Sequence, residues 1–224
     1  MRIVPVSHPL GPPYAGAVSP FDQSTYQVRM EWGVAGLNRL ASADIVVVVD
    51  VLRFSSTVIA ALERGGSYPL DAAAHAVSAN GAAVAETAGA GDAVVLLGGL
   101  RNATAVARAV LAEQQRRGAR TSVAVIAAGE QADAGLRFAV EDQLGAGAVI
   151  AALGALGIDH TSPDAAVAAE ADRALGRAST HLLTASGSGL ELIAQGRRDE
   201  VLAAAARDAA SVVPVLRGGL FVAF

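Results

Sequence analysis

Polar side chains able to bind a small anion follow one apolar run in the first quarter of the chain. The run, residues 45–49, consists of five β-branched residues, a pattern typical of a strand buried on both faces, and Asp50 follows it directly. Arg53 comes next, together with three hydroxyl side chains: Ser55, Ser56 and Thr57. Because ligands of an open parallel sheet bind beyond the carboxyl ends of its strands, this stretch predicts a site for a small anionic substrate. The alternative is that Asp50 or Ser55 caps a helix and that Arg53 is an ordinary surface charge.

Acidic residues after two other apolar runs could complete a metal site. These runs lead into Asn102 and Glu130, and the helical pattern after the second run carries Glu141 and Asp142 in its first part. If the three strands are neighbours, these side chains share a crevice with Asp50, and their oxygens suit Mg²⁺. The four carboxylates are therefore the predicted metal ligands, and Asp50, Glu130 and Asp142 are the predicted catalytic residues. The alternatives are that the acidic pair compensates a helix dipole and that Glu130 anchors a loop.

A glycine- and serine-rich run at 186–189 precedes another short helical pattern. Its backbone N–H groups could bind an anion, so Ser186 and Ser188 are predicted substrate contacts, as is Asn102; a plain loop is the alternative. The sequence has no Walker loop, no GxSxG elbow, no HExxH and no GxGxxG after a strand. Its histidines are scattered without ligand spacing: His8, His75, His160 and His181.

Composition argues against several classes of protein. The 224 residues carry a net charge of -4 and no basic run, which is not typical of nucleic-acid binding. Cysteine is absent, which excludes disulfides and thiolate ligands and fits a cytoplasmic protein. No segment reaches the roughly 18 to 20 apolar residues of a membrane span, and prolines interrupt the amino terminus, so we expect neither membrane insertion nor export. A chain this apolar and poor in aromatic residues is expected to bury surface in a homodimer.

Strand and helix patterns alternate through most of the chain. This alternation predicts an α/β fold of three layers with a largely parallel sheet. We expect one unit spanning residues 1–224, with a division into lobes 1–92 and 93–224 as one option. The alternating pattern at 25–33 predicts an edge strand, and Pro214 predicts an edge position for the last strand.

Four segments, in this order along the chain, resemble the 2-phosphosulfolactate phosphatase (ComB) family. They are VVVVDVLRFSSTVIAALERGG, VVLLGGLRNATAVARAV, VAVIAAGE with RFAVEDQLGAGAVIAAL, and SGSGLELIAQG through DEVLAAAARDAASVVPVLRGG. The resemblance implies two associated lobes and Mg²⁺-dependent hydrolysis of a phosphate monoester on a sulfonated or carboxylated 2-hydroxy acid. Ten polar residues match those that recur in the family: Asp50, Arg53, Ser56, Thr57, Asn102, Glu130, Glu141, Asp142, Ser186 and Glu191.

The segment 66–92 is shorter than in the family. Only residues 78–81 resemble the Asn-Gly turn that ends a strand there, which makes Asn80 a further predicted substrate contact. From the resemblance we expect a phosphatase that converts a 2-phosphosulfolactate-like substrate to 3-sulfolactate and phosphate, a step in coenzyme M biosynthesis. Arg53 would clamp an oxyanion while water attacks phosphorus directly. The alternative is a catalytically impaired homologue that acts as an anion-binding or scaffold protein.

Overall fold

The computed structural model describes residues 19–132 and 135–224; His8 lies outside them. In this part of the chain, seven strands form one sheet in the order β1-β5-β2-β4-β8-β9-β3, and β6 and β7 form a separate hairpin. The four strands β1, β5, β2 and β4 are parallel, and the other three are antiparallel to their neighbours. The strands are β1 Val28–Trp32, β2 Ile45–Val49, β3 Tyr68–Pro69, β4 Val94–Gly98, β5 Val123–Ala127, β6 Glu130–Ala132, β7 Gly135–Arg137, β8 Pro214–Arg217 and β9 Leu220–Ala223.

Helices connect most of these strands. They are α1 Gly33–Arg39, α2 Phe54–Glu63, α3 Ala72–Val77, α4 Ala79–Gly89, α5 Ala103–Arg117, α6 Val140–Ala155, α7 Pro163–Leu175, α8 Ser179–Ala185, α9 Gly187–Ala194 and α10 Arg198–Ala205. Short 3₁₀ turns precede α5 and α8. Within residues 19–132 and 135–224, no helix is both long enough and apolar enough to cross a membrane.

The helices cover both faces of the sheet. One apolar core lies between the sheet and α5 to α10, and a second lies between the sheet and α1 to α4. All five residues of β2 are buried, and they alternate between the two cores. The predicted three-layer α/β fold is therefore confirmed, as is a strand buried on both faces. β1 lies at the sheet edge, as its alternating pattern predicts.

The chain ends in a hairpin that lies inside the sheet. β8 sits between β4 and β9, so the edge position predicted from Pro214 is wrong. Pro214 is the first residue of β8, where a strand tolerates the missing N–H. Gly218 and Gly219 join β8 to β9 with φ values of 56° and 79°, a turn that Gly-Gly pairs favour. That pair is the sequence signal for the hairpin.

Strands from both sides of residue 92 mix in this sheet. β2 pairs with β4 on one side and with β5 on the other, and both of these follow residue 92. The division into lobes 1–92 and 93–224 stays a prediction, as does the homodimer.

Close packing between α6 and α7 gives a test of the fold. A β-carbon added at Gly147 would collide with the backbone of α7, lying 2.8 Å from the carbonyl carbon of Ala168. We expect Gly147→Ala to lower the free energy of unfolding by about 1–3 kcal/mol, as overpacking typically does. Urea unfolding followed by circular dichroism measures the change.

Gly154, in the same helix, provides the matched control. A β-carbon there would meet no atom within 4 Å. Gly154→Ala should therefore leave stability unchanged or raise it by up to ~1 kcal/mol, because alanine is the better helix former. Equal effects of the two substitutions would contradict the close contact between α6 and α7.

Candidate active site

The crevice around the candidate residues lies at the carboxyl ends of the parallel strands. The chain leaves β2 toward α2 on one face of the sheet, and it leaves β4 and β5 toward α5 and α6 on the other face. Connections that diverge to opposite faces open a crevice beside the strands concerned. Asp50 lies at the end of β2, between β4 and β5, but it lines none of the three cavities described below.

Asp50 is a buried carboxyl group at which two helices begin. Only 4% of the residue is exposed. Its Oδ1 accepts the N–H of Phe54, the first residue of α2, at 3.2 Å, and its Oδ2 accepts the hydroxyl of Ser78, the N-cap of α4. Gly81 in the first turn of α4 comes so close that a β-carbon there would lie 2.8 Å from the Asp50 Cβ. Helix amino ends carry partial positive charge, so they favour a carboxylate at this position.

Asp142 ties together the loops that follow β2 and β5. It lies in the first turn of α6 and is buried. Its Oδ1 accepts the N–H of Val51 at 2.8 Å, and its Oδ2 accepts the N–H of Gly129 at 2.9 Å. One side chain thus fixes two walls of the crevice. The catalytic role predicted for Asp142 stays a prediction.

Glu141 connects α6 to α9. The residue is buried, and its Oε1 accepts the hydroxyl of Ser188 in the first turn of α9. Ser186 is the N-cap of that helix, since its Oγ accepts the N–H of Gly189 at 3.0 Å. The glycine- and serine-rich run therefore starts a helix and brings Ser188 to the acidic residues.

The three buried acids repel one another. Burial raises the pKa of Asp50, and the charge of Glu141 adds to this, although hydrogen bonds from Ser78 and Phe54 oppose it. Burial also raises the pKa of Asp142 well above its usual value, and the charges of Asp50 and Glu141 raise it further. Among the described residues, no ion pair reaches any of the three carboxyl groups. The cluster therefore favours binding of a proton or a cation.

Three cavities run in series along the crevice. The acidic cavity, about 190 Å³, is lined among others by Glu130, Arg137, Glu141, Ser186 and Ser188. The middle cavity, about 250 Å³, is lined among others by Leu52, Arg53, Ser188, Glu191 and Arg197. The arginine cavity, also about 250 Å³, is lined among others by Arg53, Ser56, Thr57, Arg64, Arg101 and Glu200. Ser188 borders the first two cavities and Arg53 borders the last two, so neighbouring cavities share a wall.

A larger cavity of about 410 Å³ lies away from these residues. It is bounded by α1, α4 and the amino ends of β2 and β4. None of the predicted site residues lines it. The location of the candidate site therefore rests on its side chains and not on cavity size.

Arg53 is the cation between the middle and arginine cavities. Its side chain is 26% exposed, and its guanidinium lies 3.9 Å from the carboxylate of Glu200. Glu200 is bound more closely by Arg197, through hydrogen bonds of 2.5 and 2.7 Å. Arg53 therefore keeps most of its hydrogen-bonding capacity for an anion, as the sequence predicts for an oxyanion clamp.

Arg137 is a second cation of the crevice, and it is not among the residues predicted from the sequence. It ends β7, where it pairs with Glu130 at 2.7 Å across the β6–β7 hairpin. A β-carbon on Gly187 would lie 3.0 Å from the guanidinium, so Arg137 sits over the start of α9. Its sequence signal is weak: β6 and β7 are three residues each, and Arg137 itself is an exposed residue in the segment before the acidic pair.

Three of the predicted substrate contacts make hydrogen bonds within the fold. The Ser55 Oγ accepts the N–H of Asp50 at 3.1 Å, and the Asn80 amide donates to the carbonyl of Gly129 at 3.0 Å. Asn102 is fully buried, and its amide donates to carbonyl groups of β4 and of the chain before β8 at 3.3 and 3.1 Å. None of the three lines the cavities described above. Their roles in substrate binding stay predictions.

The four predicted metal ligands do not form one group. In residues 19–132 and 135–224, no three His, Cys, Asp or Glu side chains are arranged to hold a metal ion. Glu130 is paired with Arg137, and both oxygens of Asp142 accept backbone N–H groups. Both oxygens of Asp50 also accept hydrogen bonds, one of them from the Ser78 hydroxyl, and Glu141 accepts the Ser188 hydroxyl. Mg²⁺ commonly uses one or two carboxylates together with water and substrate oxygens. Asp50 and Glu141, whose hydroxyl donors can rotate away from a cation, are therefore the two acids that could hold Mg²⁺, and the metal site stays a prediction.

The family model described as 2-phosphosulpholactate phosphatase matches residues 71–219, about two thirds of the chain. The chain belongs to this family. The matched part contains Glu130, Glu141, Ser188 and Arg137, whereas Asp50 precedes it. The resemblance found in the sequence is confirmed. No curated protein matches the chain.

The buried acids predict how the stability of this 2-phosphosulpholactate phosphatase family member depends on pH. A carboxyl group whose pKa is raised on folding contributes fully to stability at pH values below its pKa in the unfolded chain, which is near 3.8 for Asp142. This contribution is lost as pH rises through its pKa in the folded protein. We expect Asp142→Asn to destabilise most near pH 3.8 and progressively less as pH rises above this value. Urea unfolding of both proteins across this range measures the difference.

Asp92→Asn is the control for loss of an exposed carboxylate. Asp142→Asn also removes a hydrogen-bond acceptor, which lowers the free energy of unfolding by an amount that does not depend on pH. The test is therefore how the difference in this free energy between wild type and variant changes with pH. If the free energies of unfolding of wild type and Asp142→Asn differ by a constant amount, or by an amount that grows with pH, the raised pKa of Asp142 is contradicted.

Proposed function

We propose that the chain is a Mg²⁺-dependent phosphatase acting on the phosphate monoester of a small anionic 2-hydroxy acid. The model reaction is conversion of 2-phosphosulfolactate to 3-sulfolactate and phosphate. Family membership supports the class of reaction. The observation that carries the proposal is that acidic and guanidinium groups border one series of cavities, at the sheet edge where α/β proteins bind ligands.

Arg53 and Arg137 are the groups proposed to bind the anionic substrate. They lie on either side of Ser188, one in the middle cavity and one in the acidic cavity. A planar guanidinium donates paired hydrogen bonds to phosphoryl oxygens and stays charged at all physiological pH values. Both arginines would also stabilise the charge on the phosphoryl group as it is transferred.

Asp50 and Glu141 are the carboxyl groups that would hold Mg²⁺. Bound there, the ion would neutralise charge on the phosphoryl oxygens. The observation behind this assignment is that both acids are buried and that no described ion pair balances their charge. Asp142 would act by fixing the loops around them.

Glu130 is the remaining acid in the acidic cavity, and we assign it as the base. It would accept a proton from the water whose oxygen attacks phosphorus, while the bond from phosphorus to the ester oxygen breaks. The ester oxygen takes up a proton and becomes the hydroxyl of the product. Direct attack by water is preferred to a phosphorylated Asp50, because position 52 is leucine, not the second aspartate of haloacid-dehalogenase-type enzymes.

A catalytically impaired homologue that binds an anion, or serves as a scaffold, is the second candidate. The absence of a three-ligand metal group within the described residues favours it. The short segment 66–92 favours it as well. Both candidates retain the arginines, so they differ in turnover and not in anion binding.

Phosphate release from a panel of phosphorylated 2-hydroxy acids, with Mg²⁺ and with chelator, tests the proposal. We expect turnover with Mg²⁺ only, and a fall in kcat/KM of about 10- to 100-fold in Arg53→Met and in Arg137→Met. This range corresponds to the loss of hydrogen bonds to a charged group.

Arg39→Met is the matched control. Arg39 is the last residue of α1, and its ion pair with Glu31 lies outside the three cavities. Its substitution should leave kcat/KM within about twofold of wild type. Folded wild-type protein that releases no phosphate from any substrate would overturn the phosphatase and support the second candidate.

A further inference from the structure

The arginine cavity lies beyond Arg53, away from the buried acids. It is enclosed by α2, the loop after β4, and α10. Small apolar side chains form much of its wall, namely Leu52, Ala60, Ala203 and Ala204. Its volume of about 250 Å³ suits a fragment of a few heavy atoms.

The charge lining this cavity is positive. Three arginines border it, and the lining has one acidic residue, Glu200. Glu200 is already bound by Arg197 at 2.5 Å, so it offers little compensation. An anion entering the cavity would meet guanidinium groups on an aliphatic wall, where the lower dielectric strengthens the attraction.

Arg101 lines this cavity and has a donor without a partner among the described residues. Its side chain is 14% exposed, and its NH2 group pairs with Glu63 at 2.9 Å. Its Nε is buried and has no hydrogen-bond partner among the described residues. Buried donors of this kind are rare in proteins and call for a partner. The Thr57 hydroxyl lines the same cavity and supplies a further polar group.

We infer that the arginine cavity binds the acid group of the substrate that is not transferred, a carboxylate or sulfonate, with Arg101 as a specificity-determining residue. This inference rests on the proposed function. The phosphoryl group would lie on the Ser188 side of Arg53, and the organic acid would reach past Arg53 toward Arg101. Substrates that carry a second acid group are then preferred over those that carry phosphate alone.

The test compares Arg101→Met with Glu63→Gln. Both substitutions break the same ion pair, but only the first removes the guanidinium. Arg101→Met should lower kcat/KM for a phosphorylated 2-hydroxy acid by about tenfold or more, and leave kcat/KM for 4-nitrophenyl phosphate within about twofold. Glu63→Gln should leave both values near those of wild type.

A binding measurement separates this inference from the proposed function, since it needs no turnover. Calorimetry with 3-sulfolactate should show a Kd raised about tenfold or more in Arg101→Met and unchanged or lowered in Glu63→Gln. If no substrate is hydrolysed but the binding pattern is as expected, the proposed phosphatase activity is overturned and the acid-binding site is supported. Equal loss of binding in both variants, no loss in Arg101→Met, or no binding by wild type would overturn the acid site.

Discussion

The structure around the crevice depends on the buried carboxyl group of Asp50. It lies at the end of the central strand β2, and its two oxygens accept hydrogen bonds from the starts of α2 and α4. A buried acid is costly unless its oxygens are bonded, so these helices must begin where they do. The close approach of Gly81 shows how tightly α4 is held against it. The short segment 66–92 thus still supplies a helix start to the central acid.

Two further acids complete the candidate site around this anchor. Asp142 holds the loops after β2 and β5, and Glu141 holds Ser188 at the start of α9. Their placement concentrates negative charge inside the crevice, while Arg53 and Arg137 stand along it. A phosphate monoester with a bound cation would satisfy both sets of charges. Under the proposed function, stability and cation binding compete, because the repulsion that favours a cation also lowers the stability of the fold as the acids ionise.

Part of this arrangement could be predicted from the sequence, because it depends on local patterns. The apolar run of β2 predicts that Asp50 lies at the end of a buried strand. The alternation of strand and helix patterns predicts the layers, and it predicts that the acidic pair lies near the start of a helix. Arg137 could not be found this way, since its hairpin has three-residue strands with little apolar character. Asn102 is a predicted substrate contact, and its full burial, which no local pattern indicates, depends on a hairpin far along the chain. Long-range packing of this kind leaves no trace in a short window of residues.

A ¹³C NMR titration of the carboxyl groups of Asp50 and Asp142, assigned with Asp50→Asn and Asp142→Asn, tests whether these buried acids resist ionisation. We expect titration midpoints above 3.8 for both residues, because burial and neighbouring charges oppose ionisation. Adding Mg²⁺ with inorganic phosphate should lower the midpoint of Asp50, since a cation favours the carboxylate. Midpoints at or below 3.8 that do not respond to Mg²⁺ and phosphate would contradict this expectation.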